Sequence, residues 1–305
     1  MATVYNAAPF FPGKVTKDTF SIKQSAEKFN PAKDFYDVSA IWGKRPALII
    51  VKWIYSSPIT PPQVTILAFF LGIWAAYLLS MQEYFYLFTS AILIQVKNIL
   101  DTVDGHLARA RNTPSRIGRF LDSITDFIIN LALFIAIGLH LNNSYPVAEI
   151  WVLSATAFLS SSLQCSYYVF YTVSYTHEVN RQTASRVDES IKEEDYAVYS
   201  DPFQQKLLII LQKLFLLFYS WQDGIMIKID TWSLKFFENS PSNWYLNKRL
   251  LTMTSWLGLG MQLFFISLFA LLNLLYFYLW FVIVAGNLYW LFLIYYRRKG
   301  NLWKI

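Results

Sequence analysis

The chain has a single cysteine, Cys165, among its 305 residues. That excludes an internal disulfide framework and a cysteine-based zinc site. Histidine is nearly as scarce, and His106, His140 and His177 stand too far apart to pair on one helical turn around a metal. Charge is thin: Asp, Glu, Lys and Arg make up 15%, against about 25% in an ordinary soluble domain. So little polar surface cannot cover a globule of this size, which excludes an ordinary soluble enzyme. The 55% hydrophobic content excludes a disordered or collagen-like chain. Residues 1–45 contain no apolar run, so no cleavable signal peptide is expected. There is no internal repeat and no low-complexity tract.

What the chain has instead is aromatic and apolar mass. Its 25 Phe, 20 Tyr and 11 Trp amount to 18%, a load suited to the two faces of a bilayer. Six apolar stretches lie at 63–80, 84–104, 117–140, 147–173, 253–273 and 276–296. Most approach the ~20 residues that a helix needs to cross a membrane. They predict an all-α integral membrane domain of six spans. Pro46 to Tyr55 is apolar but short and carries Lys52, the pattern of an amphipathic helix lying in the interface. Lysine and arginine collect in the N-terminal segment, the 105–116 turn, the 174–252 connection and Arg297, Arg298 and Lys299, leaving the other connections bare. By the positive-inside rule, both termini and the long connection face the cytoplasm. Only Lys97 falls well inside a predicted span.

The chain therefore divides into a polar cytoplasmic segment at 1–45, a membrane domain at 46–296 and a basic tail at 297–305. Within the 174–252 connection, Glu178 to Asp201 reads as a solvated loop. Lys206 to Tyr219 and then Ile225 to Phe237 read as two interfacial stretches.

Residues 101–126 hold four aspartates where a membrane helix should have none: Asp101, Asp104, Asp122 and Asp126. Each ionisable group at such depth costs at least ~2.5–3.5 kcal/mol, so it usually serves a function. The first pair is three residues apart and the second four, so each pair shares one helical face. Joined by a short turn, both pairs can converge at the cytoplasmic rim. Carboxylates so placed need protons, arginine partners or hard cations. Oxygen-only ligands select Mg²⁺, Mn²⁺ or Ca²⁺ over zinc, and two divalent ions would balance four carboxylates and clamp a phosphodiester. Gly105, Ala108 and Gly118 leave room for a ligand near the backbone. Arg109, with Arg111, Arg116 and Arg119, supplies phosphate donors. The plainer alternative is a helix pair with aspartates paired to those arginines; it explains the charge balance but not the regular spacing.

The pattern Asp101-x2-Asp104-Gly105-x2-Ala108-Arg109-x8-Gly118-x3-Asp122-x3-Asp126 resembles the signature of the CDP-alcohol phosphotransferase family at every fixed position. The resemblance implies transfer of a substituted phosphate from a CDP-linked donor to an alcohol, with release of CMP. It implies that Asp101, Asp104 and Asp122 hold Mg²⁺ or Mn²⁺, that Asp126 also touches a metal and acts as general base, and that Gly105, Ala108, Arg109 and Gly118 bind the CDP part. A homodimer is a further implication, and no nucleic-acid partner is expected. One departure is local. Many members carry Pro-Asn-x-x-Thr where Pro61, Pro62, Gln63, Val64 and Thr65 stand here, so Gln63 or Asn98 would have to replace the missing asparagine.

Two reactions fit such a site. CDP-diacylglycerol can donate a phosphatidyl group to a soluble alcohol, or CDP-choline or CDP-ethanolamine can donate its head group to a lipid alcohol. A phosphorylated acceptor would draw on Lys44, Arg45, Arg111, Arg116, Arg181 and Arg186. A quaternary ammonium would draw on a cage of Tyr167, Tyr168, Tyr171 and Tyr175. Cytoplasmic topology already accounts for the first set, and interface anchoring or helix packing is the more economical reading of the second. Cys165 is expected to be a small buried apolar residue. Outside this chemistry stand a prenyltransferase, whose aspartate motifs lack the Gly and Ala-Arg positions, and a non-enzymatic cation transporter or scaffold.

Overall fold

Thr60 has an extended backbone, and Pro61 and Pro62 follow it. Proline costs nothing in a first helical turn, where the backbone N–H groups have no partner. Gln63 closes this start by accepting from the Thr60 N–H at 2.9 Å. From here the chain builds a bundle of helices, and no strand occurs among the described residues. The structure is a computed structural model. It describes residues 38–111, 113, 115–144, 146–179, 191, 196, 199, 201–234 and 245–299. Most of the 1–45 segment, Arg181, Arg186 and the end of the 297–305 tail lie outside the described residues.

The elements are α1 (Ala40–Ile54), α2 (Pro61–Leu79), α3 (Tyr84–Ala110), α4 (Arg116–Ser144), α5 (Ala148–Val179) and α6 (Pro202–Leu234). After them come α7 (Lys248–Thr254), a 3₁₀ turn at Ser255–Leu257, α8 (Leu259–Leu271), α9 (Leu275–Trp280), a π-helical turn at Phe281–Gly286, and α10 (Asn287–Lys299). Two boundaries differ from the sequence reading. The helix expected to end near 104 runs to Ala110, which puts Gly105, Ala108 and Arg109 on α3 instead of in a turn. The two stretches expected around 206–219 and 225–237 form one 33-residue helix, α6. Gly224 does not break it.

α2 is apolar all round, which suits a helix between protein and lipid. Val64, Ala68, Ala75 and Leu79 face inward, while Leu67, Phe70, Trp74 and Tyr77 form an exposed apolar stripe. Gly72 lets α2 approach α4 closely, since a Cβ there would lie 2.7 Å from the Ile129 Cδ1. The main core joins Leu87 and Ile94 of α3, Leu133 and Ile137 of α4, and Ile266 and Tyr278 of the C-terminal helices. A second cluster packs Phe120 and Ile124 of α4 on Leu208, Leu211 and Phe215 of α6. α1 seats Ala47 and Val51 on Val103 and Leu107, beside the acidic motif.

Arg111 fastens α1 there. Its guanidinium donates to the carbonyls of Ile54 (2.7 Å), Tyr55 (3.1 and 2.8 Å), Ser57 (2.9 Å) and Ile59 (2.5 Å).

Among the described residues, three stretches are able to cross a membrane by length and composition: Pro61–Leu79, Arg116–Ser144 and the continuous Leu275–Arg297. Lys248–Leu257 and Leu259–Leu271, bent by 41° at their junction, make a fourth if they act as one. The expectation of six spans is thus met by composition for four of its stretches at most. α3 and α5 have 27 and 32 residues, but they carry buried polar side chains such as Lys97, Asp104, Ser161 and Gln164.

Candidate metal centre

The two helices of the acidic motif pack chiefly on α2 and hardly on each other. Asp101, Asp122 and Asp126 nonetheless come together from these two helices. One oxygen from each of Asp101, Asp122 and Asp126 lies within 4.8 Å of the others. Asp104 stands apart from this group of three. It is buried, and its Oδ2 accepts from the Thr65 hydroxyl at 2.5 Å. Three of the four expected ligands therefore converge, and the fourth is held by the residue that ends the Pro61–Thr65 run.

Lys97 is the residue that the sequence reading passed over. Its ammonium is 1% exposed and donates both to Asp101 Oδ2 and to Asp126 Oδ1. It reaches Asp101 because it lies one helical turn earlier on the same face. A second signal lay in view: this was the one basic residue well inside a predicted span. No other protein donor meets Asp101 or Asp126 among the described residues, so each keeps one oxygen for a ligand.

Three carboxylates within 4.8 Å, without nitrogen or sulfur donors, fit a hard divalent cation. The same crowding is what a cation would relieve, because Lys97 alone cannot offset it.

The other motif positions have local reasons as well as room for a ligand. The Arg109 guanidinium folds back along α3 to within 3.3 Å of where a Gly105 Cβ would be, and its charge acts on Asp104 and Asp122. The Gly118 N–H donates to the Ser115 hydroxyl at 3.0 Å, closing the start of α4, and a Cβ on Gly118 would lie 2.9 Å from that oxygen. Ala108 offers its carbonyl to the Thr113 N–H at 2.8 Å, which holds the connection between the motif helices.

A cavity of about 260 Å³ opens from Asp122 and Asp126 between α4, α5 and α6, with Arg119, Ser162, Tyr219 and Gln222 on its walls. Cys165 lines it too, half-buried instead of packed in a core. A larger cavity, about 1120 Å³, is lined by Leu141, Val147, Leu274 and Trp280 and holds none of the motif carboxylates. Chemistry, not volume, selects the smaller one.

Several sequence candidates are committed elsewhere. Arg111 is spent on backbone carbonyls, and Arg116 is buried over the Phe120 ring at 4.7 Å. Tyr167, Tyr171 and Tyr175 are buried, and Arg297 stands 3.3 Å from the Tyr171 ring centroid. The tyrosines thus hold the chain's own cation. Gln63 caps α2, and Asn98 donates to the Gly260 carbonyl at 3.4 Å.

A family profile described as CDP-alcohol phosphatidyltransferase matches residues 58–236, more than half of the chain. The chain belongs to this family of enzymes. Among its relatives is a bifunctional IPC transferase and DIPP synthase of Aquifex aeolicus, 35% identical over 108 residues, which are 35% of this chain and 23% of the relative. The archaetidylinositol phosphate synthase of Pyrococcus horikoshii is 35% identical over 96 residues, 32% of this chain and 50% of the relative. The chain thus spans half or less of the length of these curated relatives.

Proposed function

We propose that the chain transfers a substituted phosphate from a CDP-linked lipid, with CDP-diacylglycerol as the type, to an alcohol, releasing CMP. The observation that carries this is the meeting of Asp101, Asp122 and Asp126 within 4.8 Å at the mouth of a cavity. Asp101, Asp104 and Asp122 would hold the divalent cations, with Asp126 sharing one, and such cations supply charge stabilisation for the diphosphate and the departing CMP. The acceptor hydroxyl attacks phosphorus, the bond from phosphorus to the CMP oxygen breaks, and the hydroxyl proton passes to Asp126. Lys97 occupies Oδ1 of that carboxylate, leaving Oδ2 to take the proton. Arg109, whose charge acts on Asp104 and Asp122, binds and orients the nucleotide phosphates, and Gly105, Ala108 and Gly118 let the nucleotide approach the backbone.

A phosphorylated polyol is the acceptor we favour. One relative is named for archaetidylinositol phosphate, and Arg119 lines the cavity beside Asp126, where a phosphate on the acceptor would meet it. Head-group transfer from CDP-choline has less support, because the ring face best placed for a quaternary ammonium is covered by Arg297. We further read α3 and α5 as spans, giving six. The positive-inside rule then puts the site and both termini on the cytoplasmic face, with α1 and α6 lying along it.

The test uses the purified full chain with Mg²⁺ and either CDP-diacylglycerol or CDP-choline. Soluble alcohols, inositol phosphate and diacylglycerol are offered together, and CMP and new lipids are read by mass spectrometry. CMP with a phosphatidyl-polyol phosphate is the expected outcome. A head-group transfer product from CDP-choline would reverse the donor assignment. Absence of both CMP formation and Mg²⁺-dependent CDP binding would sink the reading.

A further inference from the structure

Lys97 enters the chemistry above only as the occupant of one Asp126 oxygen, yet it is buried and donates to two of the motif carboxylates. Burying an ammonium is expensive unless carboxylates surround it. Here two of the four motif aspartates do so, one from each helix. The ammonium therefore ties α3 to α4 at the point where those helices otherwise stand apart. It also changes the charge the site presents to a ligand. Four carboxylates opposed by Lys97 and Arg109 leave two negative charges, which one divalent ion balances. Arg119 and Asp223, both lining the adjoining cavity, cancel in that count. A diphosphate brings two further charges, which a second ion balances.

We propose that Lys97 is a resident cation of this centre, standing between Asp101 and Asp126 in place of a second metal until the nucleotide arrives. This rests on the metal-dependent reading given above. The nucleotide-free site would then take one divalent ion, with Asp101, Asp122 and Asp126 as the carboxylates that would hold it. The second enters together with the diphosphate. Lys97 is a positioning residue: it fixes which oxygen of Asp126 stays available and keeps the empty centre from collecting two ions without substrate.

The experiment is Mn²⁺ binding to the full chain in lipid nanodiscs, followed by electron paramagnetic resonance with and without CDP. Binding counts the ions, and spin coupling reports whether two lie side by side. Wild type is expected to bind one Mn²⁺ alone and two coupled Mn²⁺ with CDP. Lys97→Met is expected to bind two without nucleotide, and Lys97→Arg, which keeps the charge, is expected to bind one. Two coupled ions in nucleotide-free wild type would overturn the proposal while leaving the metal reading intact. So would a Lys97→Met variant that titrates like wild type. The wild-type comparison decides the matter even if Lys97→Met does not fold. No Mn²⁺ binding in any state would instead refute the metal reading on which the proposal rests.

Discussion

Arg111 separates two accounts of the basic residues near the motif. If it served an anionic substrate, its loss would raise the KM for that substrate and leave the fold alone. The geometry points the other way, because its three guanidinium nitrogens donate to four backbone carbonyls between Ile54 and Ile59. Two of those carbonyls, from Ile54 and Tyr55, belong to the end of α1, where the next helical turn of donors is missing, although Ile54 also accepts from the Ser57 N–H and hydroxyl at 3.0 and 2.7 Å. A hydrogen bond to a charged group contributes about 1.5–3 kcal/mol. The site is half open to water, which can replace part of what is lost, so Arg111→Met should destabilise the fold by about 2–4 kcal/mol in total. For a domain of this size, at about 2 °C per kcal/mol, that lowers Tm by roughly 4–8 °C. Arg111→Lys should recover less than half, since one ammonium cannot reproduce a planar fork. Thermal unfolding in detergent gives the first quantity, and CDP and acceptor titrations on the folded variant give the second. An unchanged Tm with a raised KM would refute the clamp and return Arg111 to the substrate.

Asp126→Asn should cut transfer by about 10²–10⁴-fold while Mg²⁺-dependent CDP binding persists. Normal turnover in that variant would remove Asp126 as the base. Thr65→Val deletes the donor to Asp104 without changing shape, and should weaken Mn²⁺ binding in the presence of CDP by about 10- to 100-fold in a direct titration. Unchanged affinity would show that Thr65 only packs. Gly72→Ala drives a methyl into Ile129, against both branches of its side chain, and should cost about 1–2 kcal/mol. In an Ile129→Ala background the same change should stabilise by about 1 kcal/mol through helix propensity. A cost of the same sign in both backgrounds would place the strain elsewhere.

The aspartates were legible because acidic groups on one helical face stand out sharply against an apolar background. Spacing alone put Asp101 and Asp104 on one face and Asp122 and Asp126 on another. Which of them would meet was not legible, since it depends on how far α3 and α4 splay, and α2 sets that through Gly72 and Thr65. Lys97 was visible as the basic residue well inside a predicted span, but it was given no role. Its role becomes apparent only when Asp126, 29 residues later, is brought to it. α6 was read as two interfacial stretches, Lys206 to Tyr219 and Ile225 to Phe237, with Gln222, Asp223 and Gly224 falling between them. In the fold Gln222 instead accepts from Ser166 on α5 at 2.5 Å, so the polar residues mark a seam and the helix continues. Arg111 and the tyrosines carried a topology or packing reading beside the ligand-binding one, and the fold favours it: a charge or ring free in sequence can be consumed by a partner far along the chain.

The same reasoning bears on whether α5 crosses the bilayer. Its composition argues against crossing, because serines and glutamines are spread along it. Yet those groups are paired inside the bundle: Ser154 donates to the Phe134 carbonyl at 2.6 Å, Gln164 to Asn287 at 2.9 Å, and Asn287 to Ser160 at 3.0 Å. Polar groups satisfied by neighbouring helices carry little of the cost they would have against lipid. At 32 residues and about 1.5 Å each, α5 is also longer than the ~30 Å it must bridge. In a Cys165→Ala background, single cysteines at Glu149 and at Thr176 should therefore be labelled by a membrane-impermeant maleimide from opposite faces of sealed vesicles. Labelling of both from one face would mean that α5 turns back or lies along the surface. The six-span reading would then fail even though the metal centre, built on α3 and α4, would stand.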